Sequence, residues 1–472
     1  MKGKDTFENN KGPLWAVLQK VEGDKVILII VLLLILISFL AIFSSTPMLP
    51  AQEDRLKTMT SHGGIALFGI IIMFVLYHVK IDLWKPLAKI GFLGSFVLLL
   101  MLLMKVNIPG IITTERLNGA VRNFKIAGLQ IHVFEIVKVA MVMYVAWAID
   151  AIKNEKITGK GLDIYHRIAE LCSRIRWQPK AKFGKKIIAE IKDLKNNSFF
   201  KRAFYLYVPT LIISMMIFPG SGSSAVFICA VAIATMLLGD IPIRDIFIAF
   251  LIAVLGITSM VVIHKASGGK AIQRVGTMIN RVKADYDMER LEGLKGDAYS
   301  NMVDTLSQPV SAKLAIHEGG WIGKGIGNST QKYRVQNIYG DYMYSFIIEE
   351  YGLLGGLGIL ILYVSLLARS SIIARMCSDD FAKYVLGGLA ILISGQAFMH
   401  IFVNVGIGPM TGETLPLISH GASAFLVFCI AFGIILSISR MAKKKIQTVE
   451  DMTAEDKNAL QENIDIAAKS KE

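Results

Sequence analysis

The sequence predicts an all-α, polytopic integral membrane protein with about ten transmembrane helices. Three observations carry that expectation. Of 472 residues, 53% are hydrophobic and only 19% charged, with a mean hydropathy of +0.52. Residues 26–52 contain no charged side chain, more than the roughly 20 apolar residues that cross a hydrocarbon core. Segments between alternate apolar runs are rich in Lys and Arg, as cytoplasmic loops are.

The first run, VILIIVLLLILISFLAIFSS, follows a polar stretch with Lys2, Lys4, Lys11 and Lys20 and lacks a small-x-small cleavage site. It is expected to be an anchor with a cytoplasmic N-terminus rather than a removable signal peptide. Further runs fall at 63–79, 87–104, 129–149, 203–218, 222–239, 246–264, 343–368, 385–405 and 416–439. The stretch 203–239 is too long for one helix, and Pro219, Gly220 and Gly222 mark the turn of a tight helical hairpin. Ten spans put both termini in the cytoplasm, together with 80–86, 150–202, 240–245 and 369–384. The organisation expected is a tail at 1–24, a membrane domain at 25–441 and a tail at 442–472, with a basic cytoplasmic insert at 150–202 and a large outer loop at 265–342 between spans 7 and 8.

Several function classes fall away. Cys172, Cys229, Cys377 and Cys429 are too few and too scattered for a disulfide framework or a Cys-based zinc site. No HExxH, GxSxG or Walker pattern is present. The formal charge of +14 lies largely in the insert and in the flanks of apolar runs, so it reflects membrane orientation and not nucleic-acid binding.

The remaining chemistry sits where ionisable groups meet apolar segments, which are costly places for charge. Glu135 and Lys138, in LQIHVFEIVKVAMVMYVAWAI, are three apart and can meet on one helix face. A buried pair that fixes helix packing and a substrate or proton role are both open for them. Asp341, Glu349 and Glu350 stand in GDYMYSFIIEEYGLLGG, and helical phase lets Glu349 share a face with Asp341 while Glu350 points away. Asp341 alternatively caps the helix that follows it. The outer loop adds Gln308, Lys324, Gln331 and Lys332 around the Gly-rich HEGGWIGKGIGNSTQ, which is either a set of turns or an anion-binding loop. Arg122 and Arg274 are outer cations suited to phosphate.

Three blocks resemble the SEDS (shape, elongation, division and sporulation) family. They are AIHEGGWIGKGIGNSTQ with the following GDYMYSFIIEEYGLLGG, RLNGAVRNFKIAGLQIHVFEIVKVAMVMYVA, and FVNVGIGPMTGETLPLISHGASAFLVFCIAFGIILSISR. The resemblance spans about residues 25–441, and the opening and closing segments are more similar to division-type (FtsW) than to elongation-type (RodA) members. It implies a peptidoglycan glycosyltransferase at the outer face of the inner membrane. Such an enzyme polymerises lipid II into β-1,4 glycan strands, releases undecaprenyl pyrophosphate, and works with a class B penicillin-binding protein and other divisome membrane proteins.

The family's essential aspartate falls on Asp341, the expected general base. Arg122, Glu135, Lys138, Arg274, Gln308, Lys324, Gln331, Lys332 and Glu349 are the expected substrate-binding set, with a divalent cation, Mg or Mn, as an expected aid to the diphosphate. The sequence departs from the family pattern just before Asp341, where Gln336, Asn337 and Tyr339 replace Pro, Glu and His, and at Gly220, where an Asp is usual. A lipid II flippase, a role in cell elongation and a non-catalytic scaffold stay open as alternatives.

Overall fold

The computed structural model describes residues 22–45, 52–108, 112–117, 120–126, 129–154, 170, 198–248, 297–333, 339–408 and 411–442, with scattered positions between 250 and 262. Arg274, Gln336, Asn337, both tails and most of the basic insert lie outside them.

The helices in chain order are α1 (Lys25–Ser45), α2 (Gln52–Tyr77), α3 (Ile81–Leu103), α4 (Val133–Lys153), α5 (Ser198–Ile217), α6 (Gly222–Leu238), α7 (Asp297–Gly319), α8 (Met343–Met376), α9 (Asp380–Asn404) and α10 (Ala422–Ala442). Nine of the ten predicted runs are thus helical among the described residues. Among the described residues seven helices are long and apolar enough to cross a membrane, and α6 is a shorter apolar helix. Of the seventh run, 246–264, residues 246–248 and the scattered described positions 250, 251, 254, 258 and 262 are helical.

One part of the all-α expectation is corrected. Between α3 and α4 stands a three-stranded antiparallel sheet of β1 (Ile112–Leu117), β2 (Ala120–Ile126) and β3 (Leu129–His132). The apolar run read as starting at 129 is therefore strand first and helix only from Val133. The register pairs Leu117 with Ala120 and Ile126 with Leu129, so both connections are two residues long. Each carries a glycine, Asn118-Gly119 and Ala127-Gly128, which is hairpin chemistry.

Helix α9 is the centre of the bundle, packing on α4, α6 and α8, while α4 also packs on α3 and α6. Gly387 and Gly388 of α9 make these approaches possible. A Cβ at Gly387 would stand 2.6 Å from Leu238 Cδ1, and one at Gly388 would stand 2.6 Å from Val142 Cγ1. These glycines are packing contacts between helices. By contrast α2 and α3 turn Leu67, Phe68, Phe74, Ile90 and Leu93 outward with no protein cover, the surface a bilayer solvates in a multi-pass membrane protein.

Ion pairs tie together one end of the bundle. Asp24 meets Arg369 at 2.5 Å, Lys85 meets Asp379 at 2.7 Å, Lys153 meets Asp240 at 2.8 Å and Arg202 meets Asp245 at 2.5 Å. The sheet, α7, the Gly-rich loop and the 411–421 loop gather elsewhere, linked by Arg122 to Gly220 O, Ser223 to Thr411 O and Gly327 N to Ser44 Oγ.

Helix α8 contains the main break in the fold. Gly352 has φ +73°, and a Cβ there would stand 2.2 Å from Trp321 O. Across the break the Gly-rich loop takes over the helix's hydrogen bonds. Leu353 N donates to Gly320 O (2.9 Å) and Leu354 N to Trp321 O (3.3 Å), while the carbonyls of Glu349 and Glu350 accept from Lys324 N (2.9 Å) and Gly325 N (3.0 Å). A loop carrying side chains at Gly319 or Gly323 could not come this close, because a Cβ would fall 2.1 Å from Ile348 O or 2.3 Å from Glu350 O.

Candidate active site

Asp341 lies just outside the first turn of α8, whose N-cap is Tyr342, with no side-chain capping bond there. The half-exposed Asp341 side chain lines a small pocket with Tyr342, His400, Val403, Thr411, Gly412 and Glu413.

Three hydrogen bonds hold the backbone around the aspartate in place, and two more fix Asn404. Asn404 Nδ2 donates to Asp341 O (3.1 Å), and Ser419 Oγ donates to Gly340 O (2.8 Å). His420 N donates to Tyr339 O (2.8 Å), and Ser345 N and Oγ donate to Asn404 Oδ1 (3.0 and 2.9 Å). Residues of the C-terminal signature, Asn404 and Ser419, thus work as a mount for Asp341.

Arg122 reaches the same place from β2. Its Nε donates to Gly220 O at 2.9 Å, in the α5–α6 turn. At Gly412 a Cβ would stand 3.7 Å from Arg122 Nη1 and 4.0 Å from Asp341 Oδ2, so the guanidinium and the carboxylate both come close to this glycine. Gly412 has φ +67°, which suits glycine, and a side chain there would crowd both groups.

Beneath the pocket is a buried charge cluster. Lys138 Nζ donates to Glu135 Oε1 (2.9 Å), Gln396 Oε1 (3.0 Å) and Glu413 Oε2 (2.5 Å). Glu413 Oε1 accepts from Ser224 Oγ at 2.5 Å. His400 Nδ1 donates to Glu413 O (2.8 Å) and its Nε2 accepts from Tyr344 N (3.4 Å), which fixes a neutral tautomer. The Lys138 side chain is 1% exposed and that of Glu413 3%. Glu135 and Lys138 meet as their spacing requires, and Glu413 is the partner that sequence reasoning passed over. A signal was available, since Glu413 is the one Asp, Glu, Lys or Arg between Lys383 and Arg440.

The remaining predicted site residues are arranged differently from the expectation. Glu349 does not share a face with Asp341. Its fully buried carboxylate accepts from Lys324 Nζ (2.8 Å), Ser329 Oγ (2.5 Å), Thr330 N (2.8 Å) and Gln331 N (3.3 Å). Lys324 also pairs with Glu318. Burial works against the Lys324 charge, but the hydrogen bonds it donates to the two carboxylates outweigh it and hold the ammonium above its ordinary range. Lys332 is buried and donates to Gly327 O (2.7 Å) and Ser44 O (3.3 Å). Glu350 accepts from Ser44 Oγ (2.7 Å) and Gly327 N (3.0 Å). Lys324, Gln331, Lys332 and Glu349 therefore fasten the Gly-rich loop to α8 and α1, because a loop docked on a helix needs its buried polar groups satisfied internally. Gln308 lies half-buried in α7. Among the described residues no group of three or more His, Cys, Asp or Glu side chains is placed to hold a metal.

Comparisons with known proteins bear on this arrangement. The profile of the FtsW/RodA/SpoVE family, described as cell cycle proteins, matches residues 24–444. A protein of Geobacter sp. (strain M18) named "Probable peptidoglycan glycosyltransferase FtsW" is 25% identical over 426 residues, covering 89% of this chain and 98% of the relative. One of the same name from Hahella chejuensis is 27% identical, covering 86% of this chain and 87% of the relative. Among solved structures, a chain from a peptidoglycan synthase complex that coordinates polymerization and crosslinking superposes with a TM-score of 0.58 at 18% identity, covering 89% of this chain and 98% of that one. The rod shape determining protein RodA of Thermus thermophilus superposes with a TM-score of 0.53 at 16% identity, with coverages of 89% and 98%. The fold is shared with both, and by the profile match across its membrane domain the chain belongs to the FtsW/RodA/SpoVE family of cell cycle proteins.

Proposed function

We propose that this protein is a peptidoglycan glycosyltransferase of the division type, polymerising lipid II into β-1,4 glycan strands at the outer face of the inner membrane beside a class B penicillin-binding protein. The observation that supports it most is the approach of Asp341 and Arg122 to Gly412, which with Asp341 lines a pocket built largely by the C-terminal signature. The relatives' names and the synthase-complex fold point the same way.

In the reaction the acceptor sugar's 4-hydroxyl attacks the donor's anomeric carbon, and the bond from that carbon to undecaprenyl pyrophosphate breaks. Asp341 takes the hydroxyl proton as general base. The diphosphate leaves as an anion and needs positive charge, not an acid. Arg122 supplies that charge beside Asp341, and Lys324 and Lys332 belong to the Gly-rich loop. One displacement inverts the donor's α anomer to β. A Mg or Mn ion belongs to this reading as an ion carried in by the diphosphate, and chelation followed by metal add-back tests it.

The test is polymerisation of labelled lipid II by the full chain with its penicillin-binding protein, transpeptidase inactivated. Glycan ladders from the wild type that vanish in Asp341→Asn, with the complex intact, support the reading. Ladders of equal yield from both would remove Asp341 from the chemistry. Absence of ladders from a well-assembled wild-type complex, with lipid II crossing proteoliposome membranes, would favour the flippase.

A further inference from the structure

Glu413 has no part in the mechanism above, yet the residue is part of the lining of the pocket that holds Asp341, and its carboxylate sits in the buried cluster directly beneath. It is 4% exposed as a residue and rigidly held, one oxygen on Lys138 Nζ and the other on Ser224 Oγ, both at 2.5 Å. Its backbone carbonyl is fixed by His400 at 2.8 Å. A carboxylate accepting through both oxygens is the form that these two donors select. The Lys138 ammonium is shared with Glu135, so two carboxylates divide one cation.

We infer that Glu413 is a positioning residue for the transfer reaction, an anchored negative charge that raises the proton affinity of Asp341 across the shared pocket. This rests on Asp341 being the base. A like charge beside a carboxylate disfavours its ionised form, and a base works best when its proton affinity approaches the operating pH. The other groups around the site set the opposing and neutral contributions. From β2, Arg122 lowers the proton affinity of Asp341; from β3, His132 is kept neutral by burial; from α4 come Glu135 and Lys138; from α9 and α8 come neutral His400 and the hydroxyls of Tyr342 and Tyr344. Asp341 thus stands near a cation that also approaches Gly412 and an anion at the next residue along. With Gly at 220, the turn facing Arg122 offers no acid of its own, and Glu413, bonded to Ser224 in the same region, brings one from the C-terminal loop.

The experiment is the pH profile of kcat/KM for lipid II polymerisation by the full chain with its penicillin-binding protein, for wild type, Glu413→Gln, Glu413→Asp and Asp341→Asn. Glutamine keeps the shape and still accepts from Lys138. The acidic limb, which reports the free enzyme's base, moves to lower pH by on the order of half to one unit in Glu413→Gln and returns toward the wild-type position in Glu413→Asp. An acidic limb that stays in place in Glu413→Gln, whether the rate is kept or lost evenly at every pH, overturns the inference and leaves Glu413 a packing group. Glu413→Leu, a second neutral variant, is read the same way should the glutamine variant fail to assemble. Activity retained in Asp341→Asn would instead overturn the base assignment and this inference with it, whereas an inactive Asp341→Asn with an unmoved limb in Glu413→Gln overturns this inference alone.

Discussion

Asp341 and Glu349 belong to one stretch of chain, yet they meet opposite surroundings. Glu349 is fully buried, and its carboxylate receives at least four donors from the Gly-rich loop. Asp341 is half-exposed and faces a pocket, with its backbone held by neighbours and its carboxylate, like Arg122, close to Gly412. The loop's carboxylates and lysines satisfy one another and so hold a backbone in place; the pocket's aspartate is held by others and so is presented. Charge in or beside an apolar segment therefore marks two different things, and the identity of the donors tells them apart.

The largest expected effect separates the two regions outright. Asp341→Asn lowers polymerisation by about 100-fold or more, the usual worth of a general base, and leaves the thermal unfolding temperature of the purified complex unchanged. Glu349→Gln does the reverse.

The next effect sharpens what lies beneath the pocket. Lys138→Met leaves Glu135 and Glu413 buried without their shared ammonium, and removing one partner from a buried ionic network costs about 3–5 kcal/mol. Thermal unfolding in detergent should fall accordingly.

Glu349→Gln is a smaller loss. Glutamine still accepts, and Lys324 retains Glu318, so about 1–3 kcal/mol of local stability is expected to go. It should appear as faster proteolytic nicking within 318–333, with polymerisation per folded molecule falling less than tenfold.

The smallest effect is a pH dependence confined to the loop. Hydrogen bonding from Lys324 holds the Glu318 carboxyl below its ordinary value of 4.5. A carboxyl with a depressed folded value contributes stability above its unfolded value and loses it as pH falls through the folded one. Loop protection against proteolysis should accordingly decline as pH drops below 4.5. The pair is solvent-exposed, so its worth is at most about 0.5 kcal/mol; Glu318→Gln should abolish the dependence.

The spans were legible because uncharged apolar runs of that length match the hydrocarbon core of a bilayer, and nine of the ten are helices among the described residues. The sheet was not read, because β3 is four residues long and merges into the apolar run of α4, hiding the strand behind the helix's hydropathy. Its trace in the sequence was the Asn-Gly pair at 118–119. Glu135 with Lys138 followed from helical spacing, and the structure closes that pair at 2.9 Å. Glu349 did not follow from phase. Helical phase locates a side chain on its own helix but is silent about what docks there, and here the Gly-rich loop docks on both sides of Gly352. Glu413 stands out in sequence as a lone charge, but its role was not legible: it lies in a loop, and its environment is made by Lys138, 275 positions away in sequence, and Ser224, 189 positions away.

The most direct test of this contrast is one polymerisation assay on labelled lipid II, with Asp341→Asn and Glu349→Gln compared at equal amounts of folded complex, transpeptidase inactivated. Glycan ladders lost in Asp341→Asn and kept within tenfold in Glu349→Gln are the predicted result. Ladders kept in Asp341→Asn and lost in Glu349→Gln would contradict it and move the chemistry to the Gly-rich loop.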